Sequence, residues 1–424
     1  MLQLNYIREN KEDVIKRLAV KNFKDAETII NKVVELDNQR KATQKQGDDN
    51  KAESNAIARQ IGDLMKSGKK VEAEVLKAKT TELKNTDKAL DEKLKEIETQ
   101  IHNLLVTVPN LPSSKVPLGS KAEDNVVVTE HGAKPVLYTG AKPHWELTTQ
   151  YDIIDFELGV KLTGAGFPVY KGKGARLQRA LINFFLDKAT AKGYDEVQPP
   201  ILVNRDSGYG TGQLPDKEGQ MYFVGEDELY LIPTAEVPIT NIYRDVILKE
   251  SELPIKNCGY TPCFRREAGS YGKDVRGLNR LHQFDKVEIV QIAHPSKSYD
   301  IQDEMLEHVA SLLQDLELPY RILKLCGGDM TFGSALTYDF EVWSAAQERW
   351  LEVSSVSNFE TFQTNRLKCR YKDDKGKTQL AHSLNGSALA LPRIVAALLE
   401  NNQVENGIKI PKALVPYCGF DMIS

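Results

Sequence analysis

Cysteine is scarce and scattered: five residues, Cys258, Cys263, Cys326, Cys369 and Cys418, with no CxxC pair among them. That pattern excludes a disulfide framework and a thiolate zinc site. The seven histidines lack HExxH spacing, which removes a common zinc-hydrolase pattern. No GxGxxG follows a strand-like run and no GxxxxGK[ST] occurs, so neither a Rossmann nor a Walker loop is expected. No window approaches the roughly 18 continuous apolar residues of a membrane span. The start, MLQLNYIRENKEDV, has no basic stretch leading into an apolar one. A reducing cytoplasm is the expected location. An excess of one charge is also lacking. The 56 basic and 60 acidic residues leave a net −4, so any nucleic-acid contact must come from local basic surface. What is present is 424 residues, 41% apolar and 27% charged, a globular composition long enough for two or three domains.

The first hundred residues differ from the rest. A short helix is expected over residues 5–18; then residues 27–65 are almost free of Gly and Pro, and residues 70–106 are free of both. Alternating steps of three and four connect Ile29, Val33, Leu36, Arg40, Thr43, Gly47, Asn50, Ser54, Ile57, Ile61 and Leu64 in the first stretch. The same steps connect Leu76, Thr80, Leu83, Asp87, Leu90, Leu94, Ile97, Ile101 and Leu104 in the second. This is a coiled-coil seam, and Lys66-Ser67-Gly68-Lys69 between the halves is a natural turn. The expectation is an antiparallel helical hairpin over about 27–104, each arm on the order of 55 Å long. Its middle carries Arg40, Thr43, Gly47, Asn50 and Ser54 where apolar knobs belong. An arm reaching towards a partner and a structural or dimerising coiled coil both fit, and the balanced charge does not decide between them.

Val108-Pro109-Asn110-Leu111-Pro112 ends the second helix, since proline removes a donor and pushes its neighbour out of the helical region. The division expected is an N-terminal domain over 1–108 and a second domain over 109–424. In the second, strand-like runs at 196–203, 229–232, 283–291, 320–325, 337–343 and 349–355 sit between helical patterns at 174–192, 235–248, 296–316 and 389–401. The strands succeed one another without regular crossover helices, so the fold class is α+β with a mostly antiparallel sheet.

Phe264-Arg265-Arg266-Glu267, followed by Arg280-xxx-Phe284-xxx-Glu288, is the most informative string in the chain. Alternate residues of a strand share a face, so Arg265 with Glu267, and Phe284 with Glu288, are expected to point together. Residues 268–279 between them lack apolar periodicity and read as a hairpin loop. A face with a guanidinium, two carboxylates and an aromatic ring suits a nucleotide with an acidic co-substrate; an ordinary salt-bridged hairpin is the plain alternative.

Weaker signals cluster around this string. Thr234-Ala235-Glu236 follows an apolar run and opens a helical pattern, either as an N-cap or as a hydroxyl and carboxylate facing a small polar ligand. Glu352-Val353-Ser354-Ser355 places Glu352 and Ser354 on one strand face, with Glu341 nearby; such oxygens plus a triphosphate would make a magnesium site. Asn385 to Arg393 reads as a turn entering a helix with Arg393 near its start, the wrong charge for the dipole; an anion over that end, or a salt bridge to a carboxylate elsewhere, would each account for it. Lys171-Gly172-Lys173-Gly174-Ala175-Arg176 reads as a basic turn before a helix, and Pro199-Pro200 places its strand at an edge or an interface.

In this order, a Pro-terminated interface helix, the fRxE–loop–RxxxFxxxE string and the small-residue run ending in Arg393 on a helix resemble the three motifs of class II aminoacyl-tRNA synthetases. The Thr234-Ala235-Glu236 triplet, the 264–269 and 353–359 stretches, the 384–387 run and the N-terminal hairpin are similar to the seryl branch of bacterial type, over essentially the whole chain. The resemblance implies a homodimer with the Pro199 region at its interface and a bent ATP on an antiparallel sheet. It implies an adenine stacked on Phe284 and read by Glu267, and an α-phosphate and amino-acid carboxylate held by Arg265. Arg393 would hold the γ-phosphate, with Arg265 and Arg393 as the catalytic pair. Arg266, Leu281, Val353 and Ser354 would join the ATP site, Glu352 and Ser355 would hold Mg²⁺, and Thr234, Ala235, Glu236, Arg265, Glu288 and Ser387 would form the serine site. The hairpin would grip the long variable arm of serine-accepting tRNA, with selenocysteine tRNA as a second candidate acceptor. Pro392 before Arg393, Ala388, Asn365-Arg366 and Val356 depart from the family pattern without removing a residue assigned to chemistry.

Overall fold

The computed structural model describes residues 1–216, 218–267 and 276–424. It divides into two compact units, residues 1–19 with 23–109, and residues 20–22 with 110–424.

In the first unit the opening helix is two: α1 (Leu4–Glu9) and α2 (Lys11–Val20). They part at Asn10, which leaves helical geometry and donates its side-chain amide to Tyr6 O at 3.1 Å. The hairpin is formed by α3 (Ala26–Lys66) and α4 (Lys70–Leu105). At 41 residues, α3 is about 60 Å long. Every position of the expected seam is buried or half-buried. Near its base the deepest residue is Ile30, not Ile29, together with Ile7, Val14 and Leu18 of the short helices.

The polar middle of the seam is satisfied across the hairpin. Asn50 Nδ2 donates to Leu83 O at 2.9 Å, and Lys79 pairs with Glu53 at 2.6 Å. A buried Asp37 receives Arg8 (3.3 Å), Arg40 (2.9 Å) and Lys41 (3.1 Å). Burial pushes its carboxyl up, but the hydrogen bonds from these cations prevail and hold it below its ordinary range.

The second unit is built on an eight-stranded sheet. Its strands are β1 (Val126–His131), β2 (Asp195–Glu196), β3 (Ile255–Phe264), β4 (Gln283–Ala293), β5 (Tyr320–Lys324), β6 (Leu336–Ser344), β7 (Arg349–Glu360) and β8 (His382–Ala390). The order across the sheet is β1-β5-β6-β7-β8-β4-β3-β2. Only the β2–β3 pair is parallel, so the mostly antiparallel α+β sheet expected from the sequence is what forms. The strand before Pro199-Pro200 is short and lies at the edge. Helices α5 (Gly172–Ala191), α7 (Ser298–Asp315) and α8 (Leu391–Asn401) share one large core with the sheet, through Leu181, Phe185, Met305, Leu312, Ile394, Val287, Phe340 and Val356. On the other face, the short helix α6 (Glu236–Asn241) packs Ala235 and Ile239 against Val290.

Two sequence expectations fail here. The helix expected over 235–248 ends at Asn241, whose side chain donates to Val237 O (2.8 Å) and Ser207 O (2.9 Å). Asp245 then takes a left-handed φ of 59°, and Ile247–Lys249 becomes a strand parallel to Arg370–Lys372. Residues Asn385 to Ala390, read as a turn, belong to the central strand β8. Gly386 suits a turn on paper; in the sheet it lets Val356, Ile289 and Met305 approach, all within 3.2–3.4 Å of where a Cβ would stand.

Candidate active site

The site lies on the sheet face not covered by α5, α7 and α8. Register decides which residues meet: Phe284 pairs with Cys263, Lys286 with Thr261, and Glu288 with both Gly259 and Ser387. Phe284, Lys286 and Glu288 therefore form one row. Gly259 is required beside it, since a Cβ there would stand 2.6 Å from Val197 O.

Strand β3 ends at Phe264, so alternation does not place Arg265 and Glu267, contrary to expectation. Arg265 still returns to the row. Its guanidinium lies 5.2 Å above the Phe284 ring, and its Nε donates to Pro233 O at 3.3 Å. His282 supports the bend: Arg265 N donates to His282 O at 2.9 Å. Glu267 has a left-handed φ of 49° and accepts from Arg280 Nη1 at 2.8 Å. Arg266 stacks over Tyr222 at 6.0 Å. The expected hairpin loop lies, for residues 268–275, outside the described residues.

Glu288 and Glu236 are both buried. Glu288 Oε2 accepts from Thr234 Oγ1 (3.2 Å) and Ser387 Oγ (3.5 Å), and it is paired with Lys286. Thr234 Oγ1 also accepts from Glu236 N at 3.2 Å, the turn geometry expected of a hydroxyl before a helix. Glu236 Oε1 accepts from Gln363 Nε2 at 2.6 Å. Burial first, then the charge of Glu288, pushes the Glu236 carboxyl up to about 7. Burial also raises the Glu288 carboxyl, with Lys286 opposing the rise. Ala235 is buried under α6 and offers no side-chain chemistry.

A third group surrounds Arg393, the third residue of α8. Its Nε donates to Asn279 O (3.0 Å), and its Nη1 donates to Glu352 O (2.8 Å) and lies 3.8 Å from the Glu352 carboxylate. Burial lowers its pKa, and the charges of Arg280 and Arg265 act in the same direction. Arg265, Arg280 and Arg393 thus gather positive charge in one region, with Arg280 paired to Glu267 and Arg393 close to Glu352. The cleft beside them is lined by Asn279, Arg280, Trp350, Glu352 and Arg393.

The face expected of Glu352 and Ser354 is reversed by a bulge. Phe340 pairs with Ser354 but Glu341 pairs with Glu352, leaving Val353 as the extra residue. Ser354 therefore turns inward and donates to Ser387 O at 2.6 Å, while Glu352 is exposed. Ser355 pairs with Asp339, whose pKa is well raised by burial and then by Glu352, with the Ser355 hydroxyl opposing. Leu281 and Val353 are buried in the core, so only their backbones are left for a nucleotide. The 171–176 turn has no free cation: Lys171 pairs with Asp155 (3.2 Å), Lys173 reaches Met422 O (3.0 Å) and Arg176 reaches Cys418 O (2.9 Å).

Comparison with known proteins gives this arrangement a family. Residues 1–112 match the seryl-tRNA synthetase N-terminal domain, and residues 223–402 match the tRNA synthetase class II core domain (G, H, P, S and T). The serine–tRNA ligase of Salinibacter ruber is 50% identical over 425 residues, spanning 100% of this chain and 99% of that protein. The chain belongs to the seryl-tRNA synthetase family. The serine–tRNA ligase of Akkermansia muciniphila is 46% identical across 100% of this chain and 99% of its own length. The crystal structure of seryl-tRNA synthetase from Pyrococcus horikoshii complexed with ATP matches with a TM-score of 0.94 at 33% identity, covering 100% of this chain and 99% of that one. A prolyl-tRNA synthetase from Giardia lamblia (TM-score 0.57, 14% identity, 66% of this chain, 58% of that one) shares the fold alone.

In this seryl-tRNA synthetase family member, sequence reasoning missed Lys286, Gln363 and Asp339, and it took Asn385, whose side chain hydrogen-bonds Glu236, only as part of a turn. Lys286 carried a signal, since it lies midway between Phe284 and Glu288 on the same strand face. Asp339 sits in the strand before Glu341 at even spacing. Gln363 is 127 residues from Glu236, and nothing local marks it.

Proposed function

We propose that this enzyme attaches serine to tRNA in two steps at this one face. The serine carboxylate attacks the α-phosphorus of ATP and pyrophosphate leaves; a ribose hydroxyl of the tRNA's terminal adenosine then takes the acyl group and AMP leaves. The carboxylate is already ionised, so positioning and charge neutralisation carry the first step. The observation that supports this reading best is the adjacency of two buried carboxylates with two hydroxyls (Glu236, Glu288, Thr234, Ser387) to a guanidinium lying on an aromatic ring (Arg265, Phe284).

Thr234, Glu236, Glu288 and Ser387 take the serine. Arg265 swings from the Phe284 ring to the α-phosphate and the serine carboxylate as adenine stacks there, and Glu267 reads the adenine amino group. Arg393 takes the γ-phosphate. Glu352 and Ser355, with the Asp339 carboxyl whose Oδ1 has no hydrogen-bond partner, form an oxygen-only donor set that fits Mg²⁺ completed by substrate oxygens. Bound there, Mg²⁺ supplies positive charge to the triphosphate. Threonine is excluded mainly by tightness around Glu288 and Ser387, since one methylene is worth only about 1–3 kcal/mol.

The 1–108 segment is the tRNA-binding domain and 109–424 the catalytic one. Two copies associate through the Pro199 edge, in the cytoplasm, and no helix among the described residues is long and apolar enough to cross a membrane. A hairpin about 60 Å long with a polar, hydrogen-bonded mid-seam supports an arm that grips RNA. Deleting residues 27–104 and closing the gap tests this: serine-dependent ATP–pyrophosphate exchange survives while charging of a long-armed tRNA collapses. Full charging without the hairpin would reject the RNA role.

A further inference from the structure

Two acids and one base are buried together in the proposed serine pocket: Glu236 at 5% exposure, Glu288 at 1% and Lys286 at 5%. Buried charges of this kind persist only when paired and hydrogen-bonded. Glu288 meets that requirement, because Lys286 Nζ is paired with its Oε2 and donates to Thr234 Oγ1 at 2.8 Å. Glu236 has amide donors instead, Gln363 Nε2 and the Asn385 side chain, and no ion pair at contact distance among the described residues. The two carboxylates therefore do not do the same job.

We infer that Lys286 is a positioning residue that assigns the two carboxylates their roles: it keeps Glu288 ionised as an acceptor for the substrate's hydroxyl and leaves Glu236 to receive the substrate's ammonium. The inference rests on the serine-pocket reading and deepens it. A carboxylate already neutralised by a fixed ammonium has little left for a second cation, but its remaining lone pairs accept from a neutral hydroxyl. With both carboxyls ionised, Glu236, Glu288 and Lys286 sum to a single negative charge, the complement of one α-ammonium, and Arg265 is left for the substrate's carboxylate. The groups acting on Glu288 are Lys286 on its own strand, Thr234 and Glu236 at the entrance to α6, and Arg265 and Cys263 from β3 and the segment after it. Burial pushes both carboxyls up; Lys286 opposes the rise at Glu288 through both its charge and its hydrogen bond, and at Glu236 through its charge alone. Removing that ammonium leaves burial less opposed, so the Glu288 carboxyl is pushed further towards its protonated form and offers the hydroxyl a different partner.

Lys286→Met keeps the buried stem and removes the charge. In ATP–pyrophosphate exchange at pH 7, the variant raises the KM for serine about tenfold or more while the KM for ATP stays within about twofold. Its serine KM also depends more steeply on pH than the parent's and keeps falling at higher pH, because a Glu288 without its ammonium partner needs a higher pH to ionise. A serine KM and pH profile matching the parent's overturns the inference. So does a parallel loss of ATP and serine binding, the mark of a role in stability alone. If Lys286→Met does not fold, Lys286→Gln carries the same readouts, and failure of both to fold also overturns it. Glu288→Gln, run beside them, separates the two readings. If it binds serine like the parent, the pocket itself is misassigned; if it loses serine while Lys286→Met does not, only the role of Lys286 falls.

Discussion

Glu236 is the residue whose chemistry most directly links structure to pH. Its folded pKa of about 7 lies above the ordinary carboxyl value, because it is buried beside Glu288. A carboxyl raised in this way favours the folded state at low pH, and that contribution is lost as pH rises from its unfolded value, about 4.5, to about 7. Binding an ammonium needs the ionised form, so the serine KM should fall as pH rises from about 6 to about 8, and Glu236→Gln should remove that slope. Measuring the KM for serine across that range in both proteins checks it. The sequence made Glu236 a candidate through the Thr-Ala-Glu triplet, but nothing in it indicated depth of burial. Lys286 is placed by alternation between Phe284 and Glu288, but a lone lysine in a strand carries no signal of burial.

At the scale of elements, the periodic parts were read well and the local exceptions were not. The hairpin seam was legible because a repeat sustained over many turns is specified many times over. The bulge at Val353 and the strand through Gly386 are single-residue events whose cause lies in a neighbouring strand or helix, so the sequence around them misled. Helix α7 carries a further exception. His308 is buried against Tyr194, ring centroids 5.9 Å apart, and neither ring nitrogen has a hydrogen-bond partner. Burial lowers its pKa from 6.5 to about 4. The unfolded chain therefore takes up a proton that the folded one refuses, and stability is lost as pH falls from about 6.5 to about 4. The loss is on the order of 3 kcal/mol. Thermal midpoints of His308→Leu should fall less steeply than the parent's over that window; equal slopes would assign the acid sensitivity elsewhere.

For the whole molecule, the order of motifs gave the fold class and the family, since several independent strings had to occur in sequence over the full chain. The resemblance put Arg265 and Arg393 on one ATP, but the sequence did not bring Arg280 to them, since the three come from separate segments brought near one another only by the fold. Association through the Pro199 edge predicts a solution mass of twice 47.6 kDa, and sedimentation equilibrium at micromolar concentration reads it directly. The most direct test of the account is ATP–pyrophosphate exchange with a panel of amino acids, run on the chain and on Arg265→Ala. Serine alone should support exchange in the parent, and the substitution should lower the rate about 100-fold, equivalent to about 3 kcal/mol of transition-state stabilisation. Comparable exchange with another amino acid, or a near-parental rate in Arg265→Ala, would contradict it.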